Sequence, residues 1–167
     1  MASQKTKSVD IGTEFRSLSS VASSLNKSSD ELNRTVAVLD EALRKLNIGL
    51  SVWVSFAFYA EEPPHYGSDQ IGYAKVGGKW GVALRSVWGD ESSNEENCEG
   101  PWLFGEAPRD MRLIAVDYLP RVIEELGKKA SSTAKKLDEK TKQVKSIAAV
   151  IEEVAKEQNT DDSRGVE

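Results

Sequence analysis

Two stretches of this 167-residue chain repeat every seven residues, one on each side of a segment that repeats every two. In the first, apolar or small residues stand at Ile11, Phe15, Leu18, Ala22, Leu25, Ser29, Leu32, Val36, Leu39, Leu43 and Leu46, and only Ser29 interrupts the apolar character. In the second they stand at Val116, Leu119, Ile123, Leu126, Ala130, Thr133, Leu137, Lys140, Val144, Ile147, Ile151 and Val154, with Thr133 and Lys140 as the faults. Steps of four and three keep one stripe on one side of a helix, and a sustained seven-residue period is the mark of a stripe that meets another helix. The spacing predicts one long helix over 9–47 and another over 108–158. About 35 paired residues at ~1.5 Å each would make a rod of ~50 Å. Pro108 suits the first turn of the second helix. Pro120, inside the pattern, removes a hydrogen bond and predicts a kink or a restart there. Residues 1–8 are expected to be a flexible N-terminus and 159–167 a disordered tail, since both are polar.

The segment between the repeats opens with the most apolar run of the chain, Leu46 to Ala60. At about 15 residues it is shorter than the ~20 that a membrane-crossing helix needs. Its pattern also points elsewhere. Ile48, Leu50, Val52, Val54, Phe56 and Phe58 alternate with Gly49, Ser51, Trp53, Ser55, Ala57 and Tyr59, the period of a strand with unlike faces. Pro63 and Pro64 end it. Residues 70–89 then alternate about Gly77-Gly78, a pair able to take positive φ at both positions of a hairpin turn. That turn sets Val76 opposite Lys79, Lys75 opposite Trp80, and so on to Ile71 opposite Leu84. One face then carries Ile71, Tyr73, Trp80, Val82 and Leu84, and the other Gly72, Ala74, Gly81 and Ala83. The large face is expected to bury against helices. The small face either admits a second helix closely or stays open. Residues 89–100 read as a polar acidic loop and 101–104 as a short fourth strand, completing a β-meander over 48–104.

The fold expected is therefore α+β: two long antiparallel, coiled-coil-like helices flanking an inserted small antiparallel β-meander. Serines 19, 20, 23, 24, 28 and 29 crowd the first helix, so a two-helix rod would bury little apolar area. Val9, Val21, Ala37, Val38, Ala42, Ala148 and Val150 also fall outside the stripes. A second copy would cover both deficits, which predicts a homodimer built as a helix bundle.

Composition narrows the chemistry. Hydrophobic residues make up 39% and charged residues 29%, which suits long exposed helices better than a thick core. The net charge of −5 argues against nucleic acid as a partner. Residues 127–145 hold seven lysines against two acids but no arginine or aromatic residue, and read as a solvated helical face. Cys98 is alone, so an internal disulfide and a cysteine metal pair are both excluded, in keeping with a reducing, cytoplasmic setting. The N-terminal basic residues are not followed by an apolar run, so no secretory signal is expected. The sole histidine, His65, has no second histidine or nearby cysteine, and the acidic loop lacks calcium-loop spacing. No phosphate-binding glycine loop, dinucleotide fingerprint, nucleophile elbow or zinc-protease motif occurs. The expectation is a non-enzymatic protein without cofactor or metal.

All four tryptophans, Trp53, Trp80, Trp88 and Trp102, lie in the β segment. Trp88 follows the alternation of Trp80 and is expected to be buried. Trp53 falls on the small face and is the hardest to explain as core. Arg109 and Arg112 stand where the sheet meets the second helix. They either bind an anion or pair with Glu106 and Asp110, and pairing is the expectation. The functional reading is an assembly or interaction protein, with helices for oligomerisation and the tryptophan-bearing sheet for a protein partner. The competing reading is a small-ligand or anion sensor formed by Trp53, Trp102, Arg109 and Arg112.

Overall fold

The computed structural model describes residues 10–59, 65–90, 92 and 95–162. Helix α1 spans Ile11–Lys45. Asp10 starts it: its carboxylate accepts from the Gly12 backbone N–H at 3.1 Å and from the Thr13 hydroxyl at 2.6 Å. Strands β1 (Val52–Tyr59), β2 (His65–Val76), β3 (Lys79–Asp90) and β4 (Glu95–Leu103) form one antiparallel sheet in sequence order. A 3-10 turn at Phe104–Glu106 leads to α2 (Arg109–Ala115). A second 3-10 turn at Val116–Tyr118 precedes α3 (Leu119–Asp162). The expected break near Pro120 is thus a restart, with the proline as the second residue of α3, where no intrahelical donor is required.

The hairpin register is the one that the glycine pair dictates, from Val76 opposite Lys79 to Ile71 opposite Leu84. Gly77 and Gly78 have φ of 55° and 86°, the left-handed region this turn requires. The arms run further than the alternation suggested. β2 begins at His65 and β3 reaches Asp90, so the hairpin arms are twelve residues each. Residues 95–99, expected in the acidic loop, pair with β3 as the start of β4. Likewise α3 extends to Asp162, so residues 159–162 of the expected tail are helical. Residues 1–8 and 163–167, also expected to lack structure, lie outside the described residues.

The chain divides into two units, 1–122 and 123–167. The core of the first is the large face of the sheet. Ile71, Val82 and Leu84 have no exposed surface, and Val52, Val54, Phe56 and Tyr73 are buried beside them. Phe56 meets Tyr118 with ring centroids 5.7 Å apart, and α2 contacts β2 and β3. Helix α1 contacts β3, burying Val36 and Leu43 and half-burying Leu32 and Leu39. These are residues of the seven-residue stripe, so the C-terminal half of that stripe is spent on the sheet unit. Its N-terminal half is not: Ile11, Phe15, Leu18 and Leu25 are all exposed. In the second unit the stripe of α3 is exposed at Leu137, Val144, Ile147, Ile151 and Val154. The lysines of 127–145 are exposed as well, and Lys128 is held by Glu124 and Glu125. No helix among the described residues is long and apolar enough to cross a membrane.

Asp40 fastens α1 to the sheet. Its carboxylate accepts the Val82 backbone N–H at 2.6 Å and lies over Gly81, where a Cβ would come 3.0 Å from Asp40 Oδ2. Burial raises the Asp40 carboxyl above its usual range, against the opposing effects of the Val82 bond and of Arg44.

Candidate functional site

The four residues expected to share a site separate into three places. Arg109 and Arg112 are one turn apart on α2 and face α1 together. Arg109 Nη2 donates to Asn26 Oδ1 at 3.0 Å and Arg112 Nη1 to Asn33 Oδ1 at 2.5 Å. The expected pairing with Glu106 and Asp110 does not form. Among the described residues no carboxylate lies within 4.0 Å of either guanidinium. Asn26 and Asn33 are seven apart, two turns along one side of α1, and they offer neutral acceptors where acids were expected.

The two arginines line a niche of about 80 Å³ with Leu113 and with Leu25, Ser28, Ser29 and Leu32 of α1. The α1 residues stand at i, i+3, i+4 and i+7, the diamond that forms a recess on a helix surface. Ser28 and Ser29, the small residues that weaken the stripe, leave the recess open. Arg112 is 7% exposed, and its Nε is buried with no hydrogen-bond partner.

Trp53 and Trp102 do not reach this niche. Trp53 pairs with Gly72 and Trp102 with Leu84, positions on opposite faces of the sheet. The Trp53 indole lies flat on Gly72: a Cβ there would come 2.7 Å from the ring and 2.0 Å from the Val52 carbonyl oxygen. Arg85 lies over the ring, its Cζ 4.3 Å from the centroid. Arg85 Nε donates to Gln70 Oε1 at 2.8 Å, and Gln70 Nε2 to Ser55 Oγ at 3.2 Å. A large side chain on the small face is thereby accounted for: Trp53 fills the space that Gly72 leaves. Trp102 is half-buried beside Gly100, whose φ of +92° and lack of a Cβ admit the ring.

The exposed aromatic residues are at the other end of the sheet. Tyr59 and Trp88 flank Gly67 in one cross-strand row, and both are exposed, Trp88 at 44%. The expected burial of Trp88 is therefore corrected: the alternation continues past the point where helices cover the sheet. With His65, Tyr66 and Gly89 these residues line a cleft of about 360 Å³. Tyr59 donates its hydroxyl to the buried Asp69, which also accepts from Ser86 Oγ at 2.6 Å. His65 Nδ1 lies 3.7 Å from Asp90 Oδ2, and the Tyr66 hydroxyl donates to Glu96 at 3.5 Å. His65 is thus the first residue of β2 and part of this cleft. Period-two reading finds these residues but not their exposure, which depends on where the covering helices stop.

Cys98 is exposed on β4. Among the described residues no three of His, Cys, Asp and Glu are grouped as metal ligands. The chain matches no protein-family model, no curated protein and no solved structure.

Proposed function

We infer that the protein is a non-enzymatic assembly protein, joined to a second copy through its long helices. The observation that carries this reading is the state of the two repeats. Five heptads of matched spacing end in exposed Ile11, Phe15, Leu18 and Leu25 on α1, and Leu137, Val144, Ile147, Ile151 and Val154 are exposed on α3. Nine large apolar side chains at coiled-coil spacing suit another helix far better than water. In this reading a second copy covers the exposed stripes with its own. Each large aliphatic side chain buried contributes about 1.5–3 kcal/mol before ordering costs. A few per chain therefore reach the ~8 kcal/mol of micromolar association.

The sheet supplies the second surface, for a protein partner. Support comes from the exposed Tyr59, Tyr66 and Trp88 around the cleft and from Phe58, 77% exposed, on the same edge strand as Tyr59. Tyrosine and tryptophan are the side chains that most often anchor interfaces. The test is light scattering on the wild type and on a Phe15→Glu, Ile147→Glu double variant. The reading requires a dimer that the double variant reduces to monomer, with the sheet intact by near-UV circular dichroism. Equal masses for the two would overturn it.

A further inference from the structure

We propose that the niche between α1 and α2 is a binding site for a small oxyanion, held by Arg112 with Arg109. The argument starts from the state of Arg112. A guanidinium does not lose its proton in a protein, so burial cannot neutralise it. Removing such a charge from water is costly unless a counter-charge and full hydrogen bonding replace the lost hydration. Arg112 has neither. It is more than nine-tenths buried, its one bond goes to the neutral Asn33, and its Nε is buried without a partner.

The geometry points to the missing group. Asn33 occupies Nη1, and among the described residues neither Nε nor Nη2 has a protein partner. Nε and Nη2 carry two parallel N–H donors, the fork that matches two oxygens of one phosphate, sulfate or carboxylate; because Nε has no surface open to water, the anion engages the whole fork only when the side chain turns toward the niche. Arg109, lining the same niche, adds a second positive charge whose bond also ends on a neutral amide. Ser28 and Ser29 line it too and carry hydroxyls able to donate to an anion. A volume near 80 Å³ suits a group of a few heavy atoms, since one water takes about 30 Å³. Leu25, Leu32 and Leu113 give the niche apolar walls, with Leu25 and Leu113 also open to solvent. The chemistry shared by all suitable ligands is a compact oxyanion, free or as the phosphate or carboxylate end of a larger molecule. Leu25 belongs both to this niche and to the stripe read as the assembly surface, so anion binding and self-association are measured separately.

The test is a thermal-unfolding titration of the full chain with inorganic phosphate and, separately, acetate, each against chloride at matched ionic strength. Matching removes general screening. Phosphate raises the melting temperature of the wild type in a saturable way, and 31P line broadening gives its affinity. A larger phosphate than acetate effect assigns the site to tetrahedral anions, and the reverse to carboxylates. Arg112→Lys, which keeps the charge but loses the fork, weakens phosphate by about tenfold or more. Arg109→Gln weakens it less. Ser29→Asp, which places a carboxylate in the niche, removes the phosphate response and raises stability in chloride. This last variant keeps the proposal testable if Arg112→Lys does not fold. Responses to phosphate and acetate that both equal that to chloride overturn the proposal, as does a response unchanged in Arg109→Gln and Ser29→Asp. Loss of self-association in Arg112→Lys, with no anion response in the wild type, would instead make a carboxylate of the second copy the partner and also overturn it.

Discussion

The two halves of α1 carry one repeat and meet two fates. From Leu32 to Leu43 the stripe is buried or half-buried, with Val36 at 4% and Leu43 at 7% exposure; from Ile11 to Leu25 its large residues are exposed, with Phe15 at 67%. Nothing in the spacing distinguishes them. What differs is the surface available. The C-terminal half lies beside β3, where Asp40 binds the Val82 N–H and Gly81 leaves room for its carboxylate. The N-terminal half extends past the sheet unit with its cap satisfied and its stripe open. A heptad repeat therefore states that a helix face needs covering, while the tertiary neighbours decide what covers it.

The sharpest way to break this comparison is one substitution made in both halves. Leu43→Ala should cost about 2–5 kcal/mol, the range for emptying a packed leucine site. Leu18→Ala, at a position 62% exposed, should cost less than about 0.5 kcal/mol in dilute protein. At high protein concentration the proposed self-association predicts a larger Leu18→Ala penalty, since a second copy would then cover the side chain. Chemical denaturation at two concentrations checks both statements. Equal penalties for the two variants at low concentration would mean that the halves are not different.

A smaller contrast comes from glycine. Gly81→Ala forces a Cβ against Asp40, whose other oxygen is tied to Val82, and should destabilise by about 1 kcal/mol. Gly12→Ala, in the first turn of the exposed half, meets only Asp10 at 3.4 Å and Arg16 at 3.8 Å, so the added helix propensity should leave stability unchanged or raised by up to ~1 kcal/mol. The same thermal melts decide the signs.

The smallest effect concerns the charge at Asp40. Its carboxyl is raised by burial, so the folded state favours the protonated form relative to the unfolded chain. The stability contributed by that preference is complete below the unfolded value of 3.8 and is lost as pH rises through the folded value. Asp40→Asn keeps an oxygen for the Val82 N–H and removes the charge. It should be slightly more stable than wild type at pH 7, with the difference shrinking as pH falls toward 3.8. A melting-temperature profile from pH 3 to pH 7 for the two proteins tests the sign (pH points chosen about the ordinary carboxylate range).

Much of the fold was legible because its elements announce themselves locally. The Gly77-Gly78 turn sets the whole register from Ile71–Leu84 to Val76–Lys79, since one tight turn leaves no freedom of pairing. The site was less legible, for reasons that particular residues show. Arg109 and Arg112 were visible as charges, but their partners Asn26 and Asn33 are 83 and 79 residues away and neutral, so no charge pattern could nominate them. Trp53 looked misplaced because the space it fills is an absence, the missing side chain of Gly72 on the next strand. Trp88 was assigned to the core because alternation records which face a residue occupies and not how far along that face the helices reach.

The measurement that tests the central claim most directly is sedimentation equilibrium of the wild-type chain at tens of micromolar, with helicity followed by circular dichroism on the same sample. The exposed stripes on α1 and α3 predict a mass twice the 18.3 kDa of one chain, shifting to one chain on dilution. A mass of 18.3 kDa at the highest concentration, with both long helices fully formed, would contradict the claim.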